Sequence, residues 1–252
     1  MVLWQEDGIL AEKEFEQAIL QNWAKHFRCT VAEFGQSGTT LFPEWTLAAA
    51  RGIHIWYIGA HAFVQMDPAY VGMVQQVLRI LPEHEALSGE DLQTAWGIET
   101  IAAHELSLVY YISPPDLRPA TINGSYTLRR LTETDSELLR ALFAASPAED
   151  IDEAYVSLEH KIAVGCFSAD GRLVSAGSGY ERSHFVDLGV LTHPEYRGQG
   201  LGRAVVVGMC RRLFAKHEIP QYRTNVDNIG SRHLAESVGF VPYFKQESIY
   251  IR

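Results

Sequence analysis

The sequence predicts an α+β fold of mixed α/β layers, and three observations predict it. Stretches rich in β-formers alternate with stretches of helical apolar spacing along the chain. A segment rich in Pro, Asn, Gly and Ser, SPPDLRPATINGS (113–125), divides the 252 residues into two lengths that can each hold a core. After that segment the elements follow as strand, helix or helices, three strands, helix, strand, helix, strand, an order that builds a layered sheet-and-helix domain. The expected domains are an accessory α/β unit over 1–118 and a second unit over 119–252.

Each element has a local reason. EKEFEQAILQNWAKHF (12–27) spaces Phe15, Ile19 and Trp23 four residues apart, which predicts a helix. IHIWYIGAHAFVQM (53–66) is dense in β-formers and predicts one or two strands. Asp67-Pro68 then supplies a cap and a first-turn proline for a helix running to about Leu81. LSLVYYI (106–112) predicts another strand. Beyond the linker, TLRRL (127–131) is a short strand, and Thr134 or Asp135 caps a helix through Phe143. HKIAVGCF (160–167), the turn SADG and RLVSAGSGY (172–180) form a hairpin that HFVDLGVLT (184–192) extends. A helix over about 200–216 carries Leu201, Val205, Met209 and Leu213 on one face. QYRTNV (221–226), a helix over about 229–238 and YFKQESIYI (243–251) complete the order.

The totals exclude several classes. Net charge is −10, and it is uneven. Residues 1–125 hold 6 Lys and Arg against 15 Asp and Glu, whereas 126–252 hold 15 against 16. Such acidity disfavours a nucleic-acid partner and makes the second half the better place for an anionic ligand. No apolar run is long enough to cross a membrane as a helix. The N-terminus turns acidic at once, without the basic-then-apolar pattern of an export signal. Cys29, Cys166 and Cys210 are dispersed and odd in number, which predicts no disulfide framework and a cytoplasmic protein. Without an export signal, Asn123-Gly124-Ser125 is a turn. Cys166 and Cys210 lie in apolar elements and are expected to be buried. His54 and His61 have no metal spacing, HELSL and EHEAL lack the second histidine of a zinc helix, and no metal is expected.

The richest segment is LTHPEYRGQGLGRAVV (191–206). Glycines at 198, 200 and 202 interrupt the start of a helix, where free amides and the helix dipole make an anion site. Glycine lets the backbone approach a phosphate, and Arg197 adds a permanent charge. Arg203 stands where a dinucleotide fingerprint needs its third glycine, and no Gly-Lys-Ser/Thr follows.

His193-Pro194-Glu195-Tyr196-Arg197-Gly198-Gln199-Gly200-Leu201-Gly202 resembles the Arg/Gln-x-x-Gly-x-Gly/Ala pyrophosphate loop of the GNAT superfamily of N-acetyltransferases. Asn225, Asn228 and Ser231, followed by Leu234–Phe240, resemble that family's next strand and helix, which ends in Gly-Phe. The resemblance covers about 126–252. It implies a mostly antiparallel central sheet flanked by helices, with acetyl-CoA as co-substrate. It also implies that Arg197, Gly198, Gln199, Gly200, Leu201, Gly202 and Arg203 surround the pyrophosphate. Val190, Leu191 and Thr192 would pair with the pantetheine arm, and Asn225, Asn228 and Ser231 would border the arm or its thiol. The reaction implied is direct transfer to the amine of a small molecule or peptide, by a monomer or homodimer.

Two departures bear on the proton. The position of the family's thiol-protonating tyrosine holds Ala235, with Tyr243 the next tyrosine along. For a base, Asp187, Glu181 and His184 lie on or beside the strand leading to the loop, and Val186 holds the position where some relatives carry a glutamate. Catalytic candidates are therefore Asp187 and Tyr243, and a non-catalytic acyl-CoA-binding module is the alternative. Finally, Pro68-Ala69-Tyr70-Val71-Gly72 echoes Pro194–Gly198 at an offset of 126. The first half is thus a candidate decayed copy, with Val71, Val74 and Gln76 in place of Arg197, Gly200 and Gly202.

Overall fold

The computed structural model describes residues 12–82 and 84–252. The chain forms two compact units that are interleaved along the sequence rather than divided by one cut. One holds the described residues up to Asn22 with Tyr110–Arg223 and Ile229–Val241; the other holds Trp23–Val109, Thr224–Asn228 and Pro242–Arg252.

In the first unit, strands β5 (Thr127–Arg130), β6 (Ile162–Phe167), β7 (Leu173–Arg182) and β8 (Phe185–Thr192) form an antiparallel meander, and β9 (Pro220–Asn225) lies parallel to β8. The β7–β8 hairpin turns on Ser183 and His184, both at positive φ (50° and 68°). A two-residue turn of that kind matches the strand twist and fixes the register. Tyr180 therefore faces Asp187, and Ser178 faces Gly189.

Helix α6 (Leu201–Phe214) packs on one face of this sheet. Side chains at Gly177 and Gly208 would collide with Met209 and Val205, and with Leu128, respectively, so both glycines are required by close packing. Helices α4 (Ser136–Ala144) and α5 (Ala148–Ala154) cover the other face through Leu139, Leu142, Ala154, Ala163, Ala176 and Leu191. The acidic α5, AEDIDEA, carries too few apolar residues to be seen as a helix in the sequence. Helix α7 (Ile229–Val238) follows β9.

The second unit contains β1 (Gly38–Pro43), β2 (Gly52–Ile58), β3 (His61–Met66), β4 (Ile101–Tyr111, its last two residues counted with the first unit) and β10 (Val241–Ile251). Their order is β1-β3-β2-β10-β4, with β1 parallel to β3 and β2 antiparallel to both β3 and β10. Helices α2 (Val71–Leu78) and α3 (Gly89–Trp96) close a core of Ile53, Ile55, Val64, Val74, Leu92, Ile249 and Ile251. The opposite side is aromatic: Trp23, from the end of α1 (Glu12–His26), lies 4.8 Å from Trp56, and Phe27 stacks 4.4 Å from Phe63. The last strand thus completes the sheet of the unit built mainly from the first half of the chain. Sequence periodicity finds the strand but not this partner, because pairing over some 190 residues leaves no local signature.

Candidate active site

Strand β8 pairs with β9 over three positions only, Val186 to Leu188 with Pro220 to Tyr222. Past Leu188 the pairing with β9 ends while that with β7 continues to Thr192. The edge of β8 facing β9 is therefore open from Gly189 onward, over the stretch that contains Val190, Leu191 and Thr192. It leads directly into the glycine loop.

That loop begins with a 3-10 turn at Pro194–Tyr196, capped by His193, whose Nδ1 accepts from the Glu195 amide at 3.2 Å. Arg197 is extended, and Gly198 (φ 76°) and Gly200 (φ 75°) are left-handed. A Cβ at either glycine would meet nothing within 4 Å, so the space beside the backbone is open. The first backbone bond of α6 runs from the Ala204 amide to the Gly200 carbonyl at 3.0 Å. The amides of Leu201, Gly202 and Arg203 precede it and face out of the helix start. Gly202 has a different reason to be glycine: a Cβ there would press on Thr192 Oγ1 at 3.0 Å and on Leu234.

The polar side chains of the loop are engaged within the protein. The Arg197 guanidinium bonds Asp150 of α5 at 2.6 Å and the Thr192 carbonyl at 3.2 Å. Arg203 donates to the Ser237 carbonyl at 3.2 Å, and Gln199 accepts from Tyr126 at 2.7 Å. The charge read into Arg197 is thus directed at α5, and the cradle is made of backbone.

Ser231 on α7 shares a 3.0 Å hydrogen bond with the buried Tyr222 hydroxyl. Burial pushes that phenol up to about 12. Ala235, one helical turn on, is fully buried. Asn225, Asn228 and Tyr243 belong to the other unit. There Asn225 shapes the turn after β9, its Oδ1 accepting from the Asp227 amide at 2.9 Å and its carbonyl from the Asn228 amide. The Tyr243 ring lies against Phe244.

On the face covered by α5, a polar group collects where β8 and β9 part. Asp187, 4% exposed, accepts from Tyr180 at 3.2 Å and lies 3.4 Å from the Arg223 guanidinium. Burial, then the Asp187 charge, raises the Tyr180 phenol above its ordinary value. Gln221, in register with Asp187, accepts from Tyr111 at 2.6 Å. Its Nε2 is buried and, among the described residues, has no hydrogen-bond partner. Next to Tyr180 stand His160 and Tyr155, the three rings 5.1 to 5.3 Å apart. His160 Nδ1 lies 2.8 Å from Ser178 Oγ, which also accepts from the Ser157 amide.

Of this group the sequence singled out only Asp187. The register set by Ser183-His184 is the signal that would have added Tyr180. The other two base candidates are elsewhere: Glu181 pairs with Lys161, and His184 lines a cavity of about 190 Å³ with His217 and Glu218. Cys166 and Cys210 are buried, which raises both thiols and keeps them protonated. His61 is held by Thr40 and the Gln36 carbonyl. Among the described residues, no cluster has the makings of a metal site and no helix is long and apolar enough to cross a membrane.

An open strand edge feeding a glycine cradle at a helix start is the geometry that the sequence motif led us to look for. The family model for GNAT acetyltransferases matches residues 118–247, about half of the chain. The chain belongs to the GNAT acetyltransferase family. Among solved structures, a GNAT-family acetyltransferase from Colwellia psychrerythraea has a TM-score of 0.52 at 16% identity, covering 92% of this chain and 97% of that one. A Drosophila protein has a TM-score of 0.52 at 13% identity, covering 95% and 88%. A GCN5-related N-acetyltransferase from Kribbella flavida has a TM-score of 0.50 at 15% identity, covering 74% and 77%. At these identities the likeness is one of fold. No curated protein matches the chain by sequence. The GNAT fold is mixed here, with parallel pairs β1–β3 and β8–β9 beside antiparallel pairs such as β2–β3 and β7–β8.

Proposed function

We propose that the protein is an acetyl-CoA-dependent N-acetyltransferase that transfers an acetyl group directly to an amine of a small molecule or peptide. The observation that carries this reading is the cradle between Arg197 and Arg203. Its two left-handed glycines leave open space, and the outward amides of a fourteen-residue helix border it. Those features fit a pyrophosphate, which the amides and helix dipole hold without any lysine. The open edge of β8, Val190 to Thr192, pairs with the pantetheine arm, and Ser231 borders it from α7. Bound acetyl-CoA supplies a thioester, an acyl group activated for attack by a neutral amine. A β8 amide polarises its carbonyl as negative charge develops on oxygen. The three cysteines are free, which suits a reducing cytoplasm.

One observation favours a second reading, an acyl-CoA-binding module without turnover. Ala235, fully buried, stands at the position of the tyrosine with which many relatives protonate the thiol. Incubating the protein with acetyl-CoA and a panel of amines, while following thiol release, separates the readings. The transferase releases thiol with at least one amine. Coenzyme A binding without turnover on any of them supports the binding module instead. Absence of thermal stabilisation by coenzyme A removes both.

A further inference from the structure

Aminolysis of a thioester needs a neutral amine and a destination for its proton. The strand leading to the loop does not provide one. Asp187 is buried, accepts from Tyr180 and lies 3.4 Å from the Arg223 guanidinium, so its carboxylate is already engaged within the protein. Glu181 is bound to Lys161. His184 lies eight residues from Thr192, about 25 Å along an extended strand.

His160 differs from all three. Helix α5 ends on β8 at Gly189, the first residue past the last β9-paired row; a Cβ there would overlap the Ala154 carbonyl. The chain then turns at Tyr155, left-handed at φ 45°, and is pinned by the Ser157 amide to Ser178, the β7 partner of Gly189. His160 closes this loop, with Nδ1 on the same Ser178 oxygen. Its Nε2 has no hydrogen-bond partner among the described residues, and its ring is half-buried between Tyr155 and Tyr180. The loop thus presents one uncommitted imidazole nitrogen on the α5 face, one strand from where β8 opens.

We propose that His160 accepts the proton of the acceptor amine and that Ser178 is the positioning residue that orients its ring. The proposal rests on the transferase reading. With Nδ1–H donating to Ser178 Oγ, Nε2 carries the lone pair, and Ser178 accepts equally from the cation. As the amine nitrogen bonds to the carbonyl carbon, one N–H proton passes to Nε2. The C–S bond breaks with its electron pair on sulfur, and the imidazolium proton passes to that sulfur or to water. The groups facing the ring are the Tyr155 and Tyr180 phenols, with Glu159 and Lys161 beside it in the chain and Asp187 beyond Tyr180. Burial outweighs the attraction of Glu159 and holds the imidazole below its ordinary value, so it is neutral at neutral pH.

The test measures kcat/KM for acetyl-CoA with benzylamine, spermidine and a lysine-containing peptide, from acid to mildly alkaline pH. We expect an acid limb below the ordinary histidine value that stays fixed from amine to amine, unlike a limb set by the acceptor itself. His160→Asn, whose amide still reaches Ser178, is expected to lose about 100-fold in kcat. It should also lose the fixed limb while KM for acetyl-CoA holds. Ser178→Ala is expected to keep the limb, displaced, with a smaller loss. A His160→Asn protein with wild-type kcat and the same limb overturns the proposal while the transferase reading stands. A wild-type protein that binds coenzyme A yet releases thiol with no amine overturns the transferase reading, and this proposal with it.

Discussion

Residues 67–78 and 193–214 follow strands of the same kind, β3 and β8, each the second arm of an antiparallel hairpin with a parallel strand on its far side. Both begin with a side chain that accepts from the amide two residues on, Asp67 from Ala69 and His193 from Glu195. Both continue as a 3-10 turn over Pro-x-Tyr, at the offset of 126 found in the sequence. There they part. Val71 is already helical and α2 starts at once, whereas Arg197–Gly200 intervene before α6. In the first region the helix begins at Val71 itself, whose amide bonds the Pro68 carbonyl just as the Arg197 amide bonds Pro194 in the second. In the second, four residues separate the helix start from the turn, and its first amides face out of the helix. The repeat is incomplete in another way: β1 precedes its hairpin in the chain, while β9 follows its own. The two regions therefore differ less in their strand-turn-helix plan than in a short detour through two left-handed glycines.

The largest expected effect breaks that detour. Gly200→Val places a β-branched residue at φ 75° and a side chain in the open space of the cradle. Coenzyme A affinity measured by calorimetry should fall by about 100-fold or more, near 2.7 kcal/mol, with the far-ultraviolet circular dichroism of a folded protein. Affinity unchanged in the folded variant would mean that the pyrophosphate binds elsewhere. The matched change Gly72→Val, on the exposed face of α2, should leave affinity untouched.

The same contrast shows what a sequence exposes. Local pattern was enough for the glycine loop, for the stripe Leu201, Val205, Met209 and Leu213 of α6, and for the β7–β8 hairpin. Each is written within a few residues of itself. Strand β1, GTTLFP, escaped notice because its first five residues are all half-buried, with no alternation, and it ends in proline and pairs in parallel across 23 positions. Helix α3 starts with glycine, and its capping box, Ser88 with Asp91, uses a shorter acid than the usual glutamate. At the site, the three glycines looked equivalent, yet Gly202 is set by packing while Gly198 and Gly200 are left-handed with open space beside them. His160 looked like the first residue of a strand. Its place beside Tyr180 follows only from the turn at Tyr155 and from Ser178, contacts that no spacing rule encodes.

A smaller effect sharpens the role of charge. Val71 stands where the second region has Arg197, and the difference suggests an essential cation. In the structure that guanidinium is half-exposed and committed to Asp150. Arg197→Ala should therefore weaken coenzyme A binding by less than about tenfold, as expected of one partly screened surface charge. Asp150→Ala should tighten it a few-fold at low salt by releasing the guanidinium, and the gain should fade as salt is raised. A loss on Arg197→Ala as large as that on Gly200→Val would transfer the main role from backbone to side chain.

The smallest effect concerns stability without ligand, and its sign is what matters. Gly72 is exposed within α2, in ordinary helical backbone, with nothing near a Cβ. Gly72→Ala should raise unfolding stability by roughly 0.5–1 kcal/mol, because alanine loses less backbone freedom than glycine on entering a helix. Gly200 also has nothing near a Cβ, yet its left-handed φ makes alanine cost about 1–2 kcal/mol there. Urea denaturation of the two alanine variants should thus move the midpoint in opposite directions from equally open positions. If both moved the same way, backbone conformation would not be what separates the two turns. The reason for glycine at 200 would then have to be sought in the ligand alone.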